Sequence, residues 1–78
     1  MKTNRPINEI AREIGSTWTK PYFGAVPYLN AMRTLTTIED YYGLDTADSI
    51  IRYFLGNART WRGEDARRIK KELNELLK

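Results

Sequence analysis

Arg59, Trp61, Arg62 and Gly63 form the sharpest local constellation in the sequence. A tryptophan set between arginines at a turn presents an amphipathic ring beside planar, fork-shaped donors, and Trp and Arg are the residue types that most often anchor protein interfaces. The same residues carry a structural reading, which is the stronger of the two. Trp61 plugs the end of a helical bundle, Gly63 supplies backbone freedom, and Arg62 caps or solvates the turn. The candidate contacts for a protein partner are then Arg59, Arg62, Arg67 and Tyr41.

A second constellation is basic. Arg67, Arg68, Lys70 and Lys71 follow a turn between two helices, and that helix-turn-helix-like arrangement makes them the candidate phosphate contacts of a nucleic-acid binder. Against this reading, Glu64, Asp65, Glu72 and Glu75 share the helix. Glu64 with Arg68 is a favourable pair at i,i+4, and Lys71 with Glu75 is another at the weaker orientation, so much of the positive charge is matched locally. The four cations also straddle different helix faces, which limits simultaneous contact with a phosphate chain.

Glu39, Asp40, Asp45 and Asp48 make an acidic patch that could attract a hard cation, but their order does not follow the alternating carboxylates, central glycine and closing glutamate of a calcium loop. Capping and surface charge are the expected roles, with no metal. The five tyrosines could stack on unpaired bases, as aromatic platforms do in single-strand binders. Such platforms sit on open sheets, so packing into the core with hydroxyls at the surface is the simpler expectation, with Tyr41 exposed and Tyr42 nearer the apolar phase.

Covalent catalysis has little to work with. The chain contains neither cysteine nor histidine, which removes the thiol nucleophile, the commonest general base and the commonest metal ligands. Ser16, Ser49 or a threonine would need a base, and no phosphate-binding glycine loop, Ser-x-x-Lys or paired-carboxylate signature appears. No catalytic residue and no cofactor are expected.

The elements that position these residues follow from apolar spacing. Ala47, Ile50, Phe54, Ala58 and Trp61 recur at three- and four-residue steps, as do Ala66, Ile69, Leu73 and Leu76 beyond the turn, predicting a helix from Thr46 to about Arg59 and another after Gly63. Ile7, Ile10, Ala11, Ile14 and Trp18 line an earlier helix with Asn4 or Arg5 as its cap, Pro6 in its first turn and Gly15 as the point near which it frays or ends. Tyr28, Leu29, Met32 and Leu35 give a further helix that tolerates Pro27 in its first turn. Between these two, residues 19–27 are expected to form an ordered, partly buried connection whose aromatics, Tyr22 and Phe23, tuck under the bundle. Thr36 to Glu39 fits a capping box, so a short extra helix is expected there, closed by a left-handed Gly43 and followed by Asp45 as the next cap. One longer helix from Pro27 to Tyr42 is the alternative.

These readings sum to an all-α fold: a compact single-domain bundle, residues 1–78, of four main helices plus one short helix. Its predicted core is Ile10, Ile14, Trp18, Leu29, Met32, Leu35, Ile50, Phe54, Ala58, Trp61, Ile69 and Leu73. At 78 residues, one core supplies only about 3–5 kcal/mol of net stability, and nine aromatics must build it without disulfides. Net charge is +3, distributed +2 over residues 1–20, −1 over 21–61 and +2 over 62–78. A gradient this mild permits attraction to phosphates without demanding it. No apolar run approaches a membrane span and MKTNRPINEIARE lacks the apolar stretch of a signal peptide, so a soluble cytoplasmic protein is expected.

The segments INEIAREI, YFGAVPYLNAM and SIIRYFLGNARTWRGEDARRIKKEL, and above all the run from Phe54 to Gly63, resemble a small bacterial family carried on phages and other mobile elements. Gly15 and Gly56 stand where helix formers would be more usual. The resemblance transfers no functional residue. It implies a regulator, a nucleic-acid accessory or an antagonist of host proteins. The expectation is therefore a non-enzymatic protein-binding accessory of a mobile element, directed at a host defence protein, with a small nucleic-acid-binding regulator as the alternative. A homodimer is compatible with either, because so small a domain gains stability by burying an apolar strip.

Overall fold

The computed structural model describes residues 5–78. Its elements are α1 (Ile7–Thr17), a single 3-10 turn (Phe23–Ala25), α2 (Val26–Met32), a two-stranded hairpin of β1 (Tyr41–Tyr42) and β2 (Asp45–Thr46), α3 (Ala47–Gly56) and α4 (Glu64–Leu76). α1 packs on α2 and α4, and α2 packs on α3.

The start of α1 shows how the chain satisfies a helix end without a side-chain cap. Pro6 is the N-cap rather than a first-turn residue, so the cap is neither Arg5 nor Asn4; Asn4 lies outside the described residues. The open amides of Ile7 and Asn8 donate instead to the carbonyls of Thr36 and Leu35 at 2.9 and 2.8 Å. A backbone segment after α2 thus does the work usually left to Ser or Asp. The helix runs through Gly15 and ends two residues later at Thr17, close to where the glycine placed its end.

Helix α2 ends at Met32, with Pro27 accepted in its first turn. The expected short helix is replaced by the hairpin, in which Tyr41 pairs with Thr46 and Tyr42 with Asp45. The physical reason lies one residue beyond the supposed capping box. The Asp40 carboxylate accepts from the amides of Thr36 and Thr37 at 2.8 and 3.1 Å, drawing 36–40 into a tight turn that takes up the amides a helix start would leave open. Gly43 is left-handed, with φ +64°, but it occupies the first position of a two-residue hairpin loop and does not close a helix. Glycine there with an ordinary φ at Leu44 is the primed-turn pattern that matches strand twist. Asp45 consequently lies in a strand, and Thr46 is the cap of α3, its hydroxyl accepting from the Ser49 amide.

All twelve predicted core residues are buried. Helix α3 ends at Gly56, short of the expected Arg59, so Ala58 is buried by the turn and not by a continuing helix, and Trp61 is buried from the same turn.

An ion-pair lattice closes one side. Arg5 forks onto Glu72, with Nε to Oε2 at 2.9 Å and Nη2 to Oε1 at 2.7 Å, and meets Glu13 at 2.8 Å. Arg68 joins Glu13 at 2.7 Å and Asp65 at 3.1 Å. The two-point contact of Arg5 with Glu72 is the geometrically specific kind and ties the residue just before α1 to α4, while the single contact of Arg68 with Glu13 ties the middle of α1 to α4.

Candidate interaction surface

The turn from Asn57 to Gly63 is anchored inward at two points. Ala58 and Trp61 are buried, and backbone bonds from Ala58 to Leu55 and from Trp61 to Ala58 tighten the chain between them. Arg59, Thr60 and Arg62 are left exposed. Trp61 is held from the far side by Lys70, whose amine donates to the Trp61 carbonyl at 2.7 Å and stands 5.9 Å from the indole centroid. Burial, and secondarily the nearby charge of Arg62, hold the Lys70 ammonium below the usual lysine range.

This turn contributes to two shallow grooves. One, of about 300 Å³, is lined by Trp61, Arg62, Gly63, Ala66, Arg67 and Lys70. The other, of about 280 Å³, is lined by Tyr22, Gly56, Asn57, Arg59 and Thr60. Tyr22 reaches the second groove because the 3-10 turn presses on the end of α3: a Cβ on Gly24 would stand 2.8 Å from Asn57 Oδ1 and 2.6 Å from the Tyr22 ring, a closeness only glycine permits. Phe23, beside Tyr22 with ring centroids 4.8 Å apart, is 79% exposed. Nearby on α2 and α3, Tyr28 and Tyr53 pair their rings at 5.5 Å.

These positions correct the expectation that the tyrosines and Phe23 pack inside. Tyr22, Phe23, Tyr42 and Tyr53 are exposed, Tyr42 on the hairpin at 47%, whereas Tyr41 is exposed as expected and Tyr28 packs against the core. The 3-10 turn gives its buried place to Ala25 and turns the larger rings outward.

The candidate residues are partly brought together. Arg62, Arg67 and Lys70 share one groove, Arg59 lines the other, and Tyr41 belongs to neither, standing on the hairpin. The candidate phosphate set divides: Arg68 is engaged by Glu13 of α1 and Asp65, Lys70 by the Trp61 carbonyl, and Lys71 is exposed. The carboxylate that meets Arg68 within its own helix is thus Asp65, three residues earlier, and not the expected Glu64. Tyr22, Phe23, Gly56, Asn57 and Thr60 were missed as site residues. One signal for them was present: the segments 16–38 and 49–63 contain no Asp or Glu, so the surface they build is aromatic and basic with no acidic counterweight.

Both serine hydroxyls are engaged locally, Ser16 Oγ donating to the Glu13 carbonyl and Ser49 Oγ to that of Thr46. Among the described residues, no three carboxylates are arranged to hold a metal ion, and no helix is long and apolar enough to cross a membrane. No family model, curated protein or solved structure matches this chain.

Proposed function

We propose that this chain is a non-enzymatic protein-binding module that engages its partner through the aromatic and arginine surface around Tyr22, Phe23 and Arg59. The observation that carries the reading is Phe23, a phenylalanine 79% exposed beside Tyr22 at a groove walled by Arg59. Large exposed rings next to an arginine are costly to leave in water and are the composition of interface anchors. Arg62 and Arg67 extend the basic rim on the far side of the turn, and Tyr41 would belong to a separate contact. An accessory or regulatory role in a phage or mobile element, directed at a host defence protein, rests on the family resemblance of the Phe54 to Gly63 run alone.

The test is affinity capture from the source cell after nuclease treatment, comparing the native chain with Phe23→Ser and Arg59→Ala. A cellular protein retained by the native chain and lost with either variant supports the reading. Loss of every captured protein on nuclease treatment, with nucleic acid retained from the untreated lysate, refutes it.

The second reading, a small nucleic-acid-binding regulator, is favoured by one observation: the groove of Arg62, Arg67 and Lys70 has no carboxylate in its lining. Its weakness is arithmetic. Lys70 and Arg68 already have partners, which leaves Arg62, Arg67 and Lys71, too few cations for tight phosphate binding at physiological salt. A gel-shift titration at two salt concentrations separates the readings, since phosphate contacts weaken steeply as salt rises.

A further inference from the structure

The hairpin is the chemical complement of the Tyr22 and Arg59 groove. Residues 39–48 hold four carboxylates and no basic residue. Two of these are used locally, Asp40 by the amides of Thr36 and Thr37 and Asp48 by Thr46 and Arg52. Glu39 and Asp45 stand exposed on the flanks, and between them the tip presents Leu44 at 100% exposure with Tyr41 at 66%. An aliphatic knob therefore projects inside a negative collar. The groove is the opposite: a hollow of about 280 Å³ with Arg59 on its wall, built from two segments that contain no carboxylate.

Because Leu44 is fully exposed, the hairpin does not fill the groove of its own chain. We infer that the hairpin of one copy docks into the Tyr22, Gly56 and Arg59 groove of a second copy, Leu44 seated in the hollow and Glu39 and Asp45 beside Arg59, with reciprocal insertion closing a two-fold dimer. A two-fold arrangement makes the same contact twice, so one modest knob-and-hollow pair is doubled without any new surface. A domain of this size also gains stability from association. The inference rests on the reading of this groove as a docking surface and specifies its occupant.

Two substitutions test it without loading the fold. A Cβ on Gly56 meets nothing within 4 Å, so Gly56→Gln fills the hollow from outside the core, and Leu44→Asp changes a side chain that touches nothing. Sedimentation of the native chain from micromolar to millimolar concentration is expected to show a monomer passing to a dimer, weaker at high salt. Each variant is expected to raise the dissociation constant by about tenfold or more, the loss of a central anchor. Thermal unfolding at low concentration is expected to be unchanged for Leu44→Asp and no lower for Gly56→Gln, which replaces a glycine within α3. Mixing Arg59→Glu with Asp45→Arg is expected to restore association that each lacks alone. A native chain that stays monomeric throughout, or a dimer indifferent to both substitutions, overturns the inference. A monomer whose capture of a foreign protein is abolished by Gly56→Gln overturns the inference but supports the docking groove; a monomer whose capture is untouched by it overturns both.

Discussion

The indole of Trp61 lies nearly parallel to that of Trp18, with ring centroids 5.4 Å apart and 11° between planes, and both rings meet Phe54 edge-on at 6.4 and 6.2 Å. The three rings come from the turn before α4, the residue after α1 and the last turn of α3. Stacked and edge-on contacts of this kind add to the area they bury, and here they hold a loop in place with no helix to support it. The outward aim of Arg59 and Arg62 therefore depends on Trp61 staying in.

Trp61→Ala is expected to cost about 3–5 kcal/mol, the usual range for emptying an aromatic core position. That equals the whole net stability a core of this size supplies, about 3–5 kcal/mol, so the variant should lose its cooperative urea transition by circular dichroism. Trp61→Phe keeps part of the stack and should unfold cooperatively at a lower midpoint. An alanine variant with the native midpoint would show that the turn does not lean on the ring.

Lys70 has a structural assignment that a phosphate role would have to displace. Its amine caps the Trp61 carbonyl at 2.7 Å, and Lys70→Met keeps the apolar stem while deleting the donor. The expected loss is about 1 kcal/mol, near the middle of the range for a hydrogen bond and below that for a fully buried charged donor. Chemical denaturation measures it. A variant of unchanged stability with sharply weaker nucleic-acid binding would return Lys70 to the phosphate set.

Gly43 holds φ +64° at the hairpin loop, a conformation that costs a residue with a Cβ about 1–2 kcal/mol. Gly43→Ala should lower stability by about 1 kcal/mol while Gly43→Asn, which tolerates the left-handed region, should lose less. A Cβ there meets nothing within 4 Å, so the loss measures backbone strain alone. Equal stability of all three chains would rule out the primed turn.

The hairpin is also where the sequence was least legible. Apolar spacing picked out every residue named for the core, though only those inside α1 to α4 owe their burial to helical steps; Trp18, Leu35, Ala58 and Trp61 lie outside the helices and are buried all the same. The run from Thr36 to Asp45 fits two structures: a short helix opened by a capping box at Thr36 and Glu39 and stopped at Gly43, or a turn followed by a hairpin with Gly43 in its loop. What decides between them is which carboxylate reaches the Thr36 and Thr37 amides, and Asp40 does so in place of Glu39. Strands of two residues are too short to show alternation. The site was half legible for a related reason. Arg59, Arg62 and Arg67 are polar residues beside buried neighbours and so declare their exposure, whereas Phe23 is an apolar residue turned outward by the geometry of a 3-10 turn. Residue type alone assigns such a ring to the core.

The lattice of Arg5, Glu13, Arg68 and Glu72 sets the sign of the pH dependence. The Glu13 carboxyl is held below the usual glutamate range, chiefly by the hydrogen bond from Arg68 and further by Arg5, with burial opposing both. Asp40 and Asp48 are held low as well, the first by the Thr37 and Thr36 amides and the second by the Thr46 hydroxyl. A carboxyl whose folded pKa is depressed stabilises the fold above its unfolded value, and that contribution is lost as pH falls through the folded value. With no histidine in the chain, stability should be nearly flat from neutrality to about pH 5 and should fall below about pH 4.3, where an unfolded glutamate takes up its proton. Glu13→Gln removes the largest link between α1 and Arg68. Its thermal midpoint should be lower at neutral pH and should decline less steeply on acidification, bringing the two chains together near pH 2, an acidity at which about all ordinary carboxyls are neutral. Parallel curves across the whole range would show that Glu13 contributes no linked proton and that the lattice is decoration on an apolar core.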